Sequence, residues 1–266
     1  VPLHRHEIEI DIQRVEFSIS RVIDANWDAQ FRLPWFSKKQ VAEVEFIEQA
    51  SAEEKSAARL NGEIHHRTET YEGFGDAEVT VGWRTYGLLH EKDTFRVSLG
   101  VSLPFGDTVE DPWLLGDAGN EHLHIEFGTG TFDPVADLYY GYALHDQWAA
   151  SIYARAKVPL YENSDGHRGS VEAVVSPRLQ YRPLPRLSFT AGLSANYLGR
   201  SEWEQTGIDR NSGAILGYAS AGVGYIFGDS LTASLSAQFP IYTDLFGEED
   251  GLEAAPIFGL SLSRQF

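Results

Sequence analysis

The feature that most restricts this chain is its last segment, Pro256–Phe266, which reads PIFGLSLSRQF. Phe258, Leu260, Leu262 and Phe266 fall on even positions, with Arg264 the one exception, while Gly259, Ser261, Ser263 and Gln265 fall on odd ones. A period of two sends the two sets to opposite faces of a β-strand. A strand with one apolar face and one small, polar face must set the first against an apolar phase and the second against water.

The alternation recurs along the chain. Ala77, Val79, Val81 and Trp83 oppose Glu78, Thr80, Gly82 and Arg84; Phe95–Leu103 opposes Arg96, Ser98, Gly100 and Ser102. Trp148–Val158, Val171–Tyr181, Leu187–Tyr197, Ala219–Phe227 and Leu231–Ile241 repeat it, and Leu123–Leu144 holds another, less clearly phased strand. Near the start, Trp27, Ala29, Phe31, Leu33 and Trp35 face one way. In His6–Val22, Ile8, Ile10 and Ile12 are in phase with one another but one step out of phase with Val15, Phe17 and Ile19. This slip predicts a β-bulge near Gln13–Arg14, or a hidden reversal there. Residues 38–73 read as a large, charged surface loop with a short helix over Glu48–Leu60.

Composition agrees with an all-β chain. No apolar run approaches the roughly 20 residues of a membrane helix, and the mean hydropathy is -0.27. Barrel strands average out to such values because they alternate. Cysteine is absent, so neither a disulfide nor a thiolate metal site is expected. Methionine is absent too, which leads us to expect a leader, such as a secretory signal, removed ahead of Val1. A formal net charge of -18 argues against nucleic acid as a partner.

Connections alternate in length. Asp24–Asn26, Leu88–Asp93, His145–Gln147, Pro183–Arg186 and Gly228–Ser230 are short; residues 38–73, Gly106–His122, Tyr161–Gly169, Arg200–Gly213 and Thr243–Ala254 are long. Short turns at one end and long, acidic loops at the other match the periplasmic and extracellular ends of an outer-membrane barrel. A soluble β-sandwich with one wet face fits such one-sided loops less well. The expected fold is therefore a single-domain, all-β, transmembrane antiparallel up-and-down β-barrel of about twelve strands, eleven of which can be counted. Single-chain bacterial barrels have even strand numbers, so a twelfth strand before Val1 is expected. Trp27, Trp35, Trp83, Trp148, Tyr197 and Tyr225 are candidates for the interfacial aromatic girdles.

Three short stretches carry a family resemblance. They are YEGFGDAEVTVGWRTYGLL from Tyr71, FRVSLGVSLPFGD ending at Asp107, and GTGTFD over Gly128–Asp133; the Leu33–Pro34–Trp35 strand end fits as well. Together they resemble the outer-membrane transporter barrels associated with the meta-pathway of phenol degradation, and a related family of outer-membrane barrels. The resemblance spans residues 15–266. It implies about twelve strands, residence in the bacterial outer membrane among its lipid and lipopolysaccharide, and passage of small, often hydrophobic, molecules.

The polar strand faces place Arg32, Arg84, Arg96, Arg155, Lys157, Arg178 and Arg182 inward against Glu16, Asp28, Glu78 and Glu172. A net basic interior would favour a small anionic or aromatic solute, since rings of charge in a pore select by sign. Arg32, Glu78, Arg84, Arg96, Arg155, Lys157, Glu172, Arg178 and Arg182 are the expected transport path; alternatively they pair across strands and fill a narrow barrel. His65, His66, His122 and His124 lie on the long-loop side, as do His4, His6 and His167, in company with Glu7, Glu63, Glu121 and Glu126. The His4/His6 and His122/His124 pairs, spaced by two, each point to one face of a strand. Imidazole with carboxylate suits a divalent metal at the outer mouth, against which stands an ordinary hydrogen-bonded loop network. No catalytic residues are singled out, because no Ser/His pair at a suitable spacing occurs on the outward face. No enzyme activity is expected. The second functional reading is a closed structural or binding barrel that holds a divalent metal or a partner protein at its loops or edge.

Overall fold

The computed structural model describes residues 4–47, 49–65, 67–247 and 253–266. The first strands are β1 (His4–Val22), β2 (Trp27–Phe46), β3 (Glu69–Phe74), β4 (Ala77–Tyr86) and β5 (Asp93–Leu103), with helix α1 (Ala52–His65) between β2 and β3. Helix α2 (Pro112–Asp117) precedes β6 (Asp133–His145), β7 (Trp148–Lys157), β8 (His167–Arg168), β9 (Glu172–Leu184) and β10 (Leu187–Leu198). The chain continues through β11 (Glu202–Trp203), β12 (Gly207–Ile208), β13 (Ala214–Phe227), β14 (Leu231–Leu245) and β15 (Ile257–Arg264).

Eleven strands pair in the order β1-β2-β4-β5-β6-β7-β9-β10-β13-β14-β15, each antiparallel to the next, and β3 adds to β2 above β4. β8, β11 and β12 form a small separate sheet at the long-loop end. The large sheet curls into an all-β barrel wall with apolar residues outside. Leu99, Leu193, Leu260 and Leu262 are all more than half exposed, whereas Ser98 and Ser102, on the inner face, are buried. Among the described residues β1 and β15 are each paired on one side only, which leaves a seam. With eleven strands alternating in direction, the two seam strands run the same way.

The expected bulge at Gln13–Arg14 is absent. β1 and β2 pair in unbroken register from His4↔Phe46 to Val22↔Asp28, and neither a bulge nor a reversal interrupts them. Ile8, Ile10, Ile12, Arg14 and Glu16 therefore share the inner face, while Val15, Phe17 and Ile19 share the outer face with Glu7, Glu9 and Asp11. The physical reason lies in strand length. β1 has 19 residues, about twice the 9–11 that cross a bilayer. Where the hairpin projects beyond the apolar band its outer face meets water and becomes acidic, and its inner face is freed to be apolar.

Residues 38–73, read from sequence as one loop, contain the outer half of β2, helix α1 and strand β3. α1 starts at a reciprocal cap: the Ser51 amide donates to Glu54 Oε2 at 2.8 Å and the Glu54 amide to Ser51 Oγ at 3.2 Å. It buries Ala58 and places Lys55 Nζ 5.9 Å from the Phe46 ring centroid. The loosely phased strand expected over Leu123–Leu144 begins only at Asp133, and residues before it form an irregular loop.

Aromatic residues cluster where the strands would meet the two interfaces. Trp27 and Trp83 are cross-strand partners at the short-turn end, where Trp148 stacks on Tyr181 at 4.6 Å and Tyr225 lies 4.8 Å from Phe227. Tyr197 lies toward the opposite end of β10, whereas Trp35 sits near the middle of the long strand β2.

Candidate functional site: the lumen and its outer mouth

The cross-strand registers place Arg32, Glu78, Arg84, Arg96, Arg155, Lys157, Glu172 and Arg178 on the inner face, and Arg182 follows Arg178 and Gln180 by alternation along β9. The middle of the lumen holds a lattice of ion pairs. Arg96 grips Asp28 in two-pronged fashion, Nη2 to Oδ1 at 2.5 Å and Nε to Oδ2 at 3.0 Å. Arg155 pairs with Glu78 and also reaches Asp137 Oδ1 at 3.1 Å, where the Tyr153 hydroxyl donates at 2.5 Å. Arg32 Nη1 lies 3.9 Å from Glu78 and its Nη2 donates to Gln30 Oε1 at 2.9 Å. Lys157 meets Glu172 at 2.6 Å. Gly82 lets the Arg96 guanidinium lie flat on the wall, since a Cβ there would come within 2.5 Å of Nη2.

These pairs modify the net basic interior expected from sequence. Asp133 and Asp137, both inward and buried, were missed because the β6 phase is obscured by its Tyr-Tyr-Gly-Tyr run. Arg84, Arg178 and Arg182 take different partners: Arg84 packs 5.9 Å from the Tyr86 ring, Arg182 lies 3.4 Å from Gln180 Oε1, and Arg178 is exposed to the lumen.

The lumen wall is unequal. Charges line β2 to β9 and bury the small residues beneath them: Thr80, Ser98, Ser102 and Ser176 are 5 % exposed or less. The inner faces of β10 and β13 instead carry Ser188, Thr190, Gly192, Ser194, Asn196, Ser220, Gly222 and Gly224. All are half-exposed and none is charged. One half of the interior is thus filled by paired side chains, and the other half is lined by small, uncharged ones with Tyr218, on the same face, buried beside Ser194.

Above the lattice, the loop between β5 and β6 folds into the mouth and is fastened there by Asp76. Its Oδ1 accepts from the Phe105 and Gly106 amides, each at 3.1 Å, and its Oδ2 accepts from the Thr129 amide at 2.8 Å. The Thr129 hydroxyl stands 2.9 Å from Asp76 Oδ2 and 2.8 Å from Asp133 Oδ2, so its single proton joins one carboxylate while its oxygen touches both. Thr131 donates to Asp133 Oδ1 at 2.6 Å. Gly128 is required by closeness: a Cβ there would lie 2.2 Å from Asp76 Oδ1. The three short motifs Gly73–Asp76, Leu103–Asp107 and Gly128–Asp133, scattered in sequence, therefore meet at one clasp.

The mouth encloses an open cavity of about 610 Å³. Lys38 and Glu126 meet there, the Nζ donating to the Glu126 carbonyl, and the Lys38 ammonium sits 4.8 Å from the Phe127 ring centroid. Buried His167 stacks on Trp203 at 4.4 Å and holds Nδ1 3.1 Å from Glu126 Oε2. His122 and His124 lie in the inserted loop and not on a strand, with ring centroids 5.0 Å apart; His122 Nδ1 is 3.0 Å from the Asn120 carbonyl and His124 packs on Trp113. His66 and the side chains of His4, His6 and His65 lie outside the described residues. Among the described residues no three His, Cys, Asp or Glu side chains converge as metal ligands.

No family model and no curated protein matches the chain. Among solved structures it is similar to the crystal structure of an outer membrane channel from Pseudomonas putida F1, with a TM-score of 0.62 and 13 % sequence identity, over 96 % of this chain and 82 % of that one. The likeness is one of fold. It places this chain among antiparallel β-barrels of the outer-membrane type, and the resemblance noted in the sequence holds at that level.

Proposed function

We propose that this protein is a bacterial outer-membrane channel that lets a small anionic or aromatic molecule pass down its gradient. The observation that carries the reading is the small, uncharged inner face of β10 and β13 beside a wall rich in cations. Small side chains on β10 and β13 leave room for a solute, and the adjoining strand β9 supplies cations beside it, with Arg178, next to Gly192 in the ladder, and Arg182 exposed near the short-turn end. Its surroundings are then outer-membrane lipid and lipopolysaccharide, and the chemistry is passage without catalysis.

The same reading includes a twelfth strand, antiparallel to both β1 and β15, that fills the seam. Unpaired edges invite another strand, from this polypeptide or a partner protein. A second reading, a closed binding barrel, draws on the ion-pair lattice, which blocks the other half of the lumen.

The test is single-channel recording of the folded protein in planar bilayers under a salt gradient. A reversal potential showing anion preference, reduced when Arg178 and Arg182 are both replaced by Ser, is the expected result. Folded, inserted barrels that pass no current would turn the assignment to the closed barrel.

A further inference from the structure

The inverted outer half of β1 gives the mouth a chemistry that neither the fold nor its likeness assigns. Ile10 and Ile12 turn inward and line the cavity with Phe36 and Phe127. Lys38, opposite Ile12 in the β1–β2 ladder, stands among them, with its ammonium 5.4 Å from the Phe36 ring centroid and 4.8 Å from that of Phe127. An ammonium has three donors; the hydrogen-bond partner of this one is a carbonyl, that of Glu126, whose carboxylate also acts on it through space. The contact ion pairs at the mouth, Arg14 with Glu16 and Lys157 with Glu172, leave Lys38 out.

We propose that this cavity binds a small monocarboxylate with an apolar body, aromatic or short aliphatic, whose carboxylate meets Lys38 and whose body packs on Ile10, Ile12, Phe36 and Phe127. Three physical terms lead there. A ring-flanked ammonium is held for an anion, because charge-assisted hydrogen bonds are the strong ones and rings stabilise the cation without neutralising it. The apolar side chains around it return nothing to a bare inorganic anion and reward a hydrocarbon body. Asp76, Glu78, Glu126 and Glu172 also line the cavity, so a second negative charge on the ligand would be repelled. A volume of about 610 Å³ lies within the range of small-molecule sites. The inference rests on reading the cavity as the entrance to the permeation path.

The test uses the full chain folded in detergent, with benzoate as probe and Trp203, which lines the cavity, as one source of a fluorescence signal alongside calorimetry. Benzoate should bind saturably, and benzyl alcohol and chloride about tenfold or more weaker, the scale of one charge-assisted contact. Lys38→Met should weaken benzoate by about the same factor, Lys38→Arg should largely restore it, and Ile10→Asp should weaken it with Lys38 intact. Each variant is first checked for heat-modifiable migration of the folded barrel. Equal binding of benzoate and benzyl alcohol, or benzoate affinity indifferent to Lys38→Met in a folded barrel, overturns the site. Bilayer recording separates the two readings. Lys38-dependent binding without any current keeps the site and removes the channel; current that proceeds unaltered by saturating benzoate, with no binding, keeps the channel and removes the site.

Discussion

Replacing Asp76 by Ala should release the inserted loop while sparing the barrel. The carboxylate accepts three amide protons, from Phe105, Gly106 and Thr129, and faces the Thr129 hydroxyl as a fourth donor. In the released loop these donors reach water, so the loss per bond is the net value of about 1 kcal/mol, not the cost of an orphaned donor. Four contacts then lower the free energy of loop opening by ~4 kcal/mol, close to a thousandfold in its equilibrium. Amide hydrogen exchange reads this directly. The Phe105, Gly106 and Thr129 amides should exchange about three orders of magnitude faster, while ladder amides of β10 and β13 keep their protection. Asp76→Asn should fall between, because its one carbonyl oxygen can serve either the Phe105–Gly106 pair or Thr129, and its NH₂ then faces donors. Unchanged exchange at Thr129, or an equal loss of protection across β10 and β13, would refute the clasp.

Other consequences follow from the same geometry. Arg155→Met leaves Glu78 and Asp137 facing each other without their shared cation, and should cost about 3–5 kcal/mol in urea unfolding; it should also shift ion selectivity toward cations in bilayer recording. Leu99→Arg, on the lipid-facing side of β5, should destabilise the folded barrel by roughly 2–4 kcal/mol if the residue lies near the bilayer midplane, measured by reversible folding into lipid vesicles. The α1 cap should be acid-sensitive. Hydrogen bonding from the Ser51 backbone holds the Glu54 carboxyl below the usual carboxylate range, so its contribution is complete above the ordinary pKa and is lost as pH falls through the lowered one. Protection of the Ser51 amide should therefore exceed that in Glu54→Ala at pH 7, and the difference should vanish in acid.

Much of the wall was legible in sequence because a two-residue period has only one alternative phase. β4, β5, β7, β9, β10 and β15 have the orientation their alternation dictates, and Arg96, Arg155 and Lys157 point inward as Val97, Ala154 and Ala156 require. The reading failed where that alternation ceased to report lipid against lumen. On β1, the slip between Ile8, Ile10, Ile12 and Val15, Phe17, Ile19 reads as a bulge only if one apolar face is expected throughout; beyond the bilayer isoleucine marks the shielded side of a hairpin. On β6, tyrosines on both faces erased the period and hid Asp137. The clasp was visible only as three glycine-rich motifs. That Asp76 should bind amides of two other segments depends on contacts between residues 29 and 53 positions apart, which no local pattern encodes.

The central claim is that water and solute pass along the uncharged β10–β13 wall. Single-channel conductance of the wild type beside Ser220→Trp tests it most directly, since Ser220 lies on that wall and is half-exposed. A steady, anion-preferring current in the wild type, strongly reduced by a tryptophan at this position in an equally folded barrel, is the predicted result. Equal currents from the two proteins, or none from the folded wild type, would contradict it.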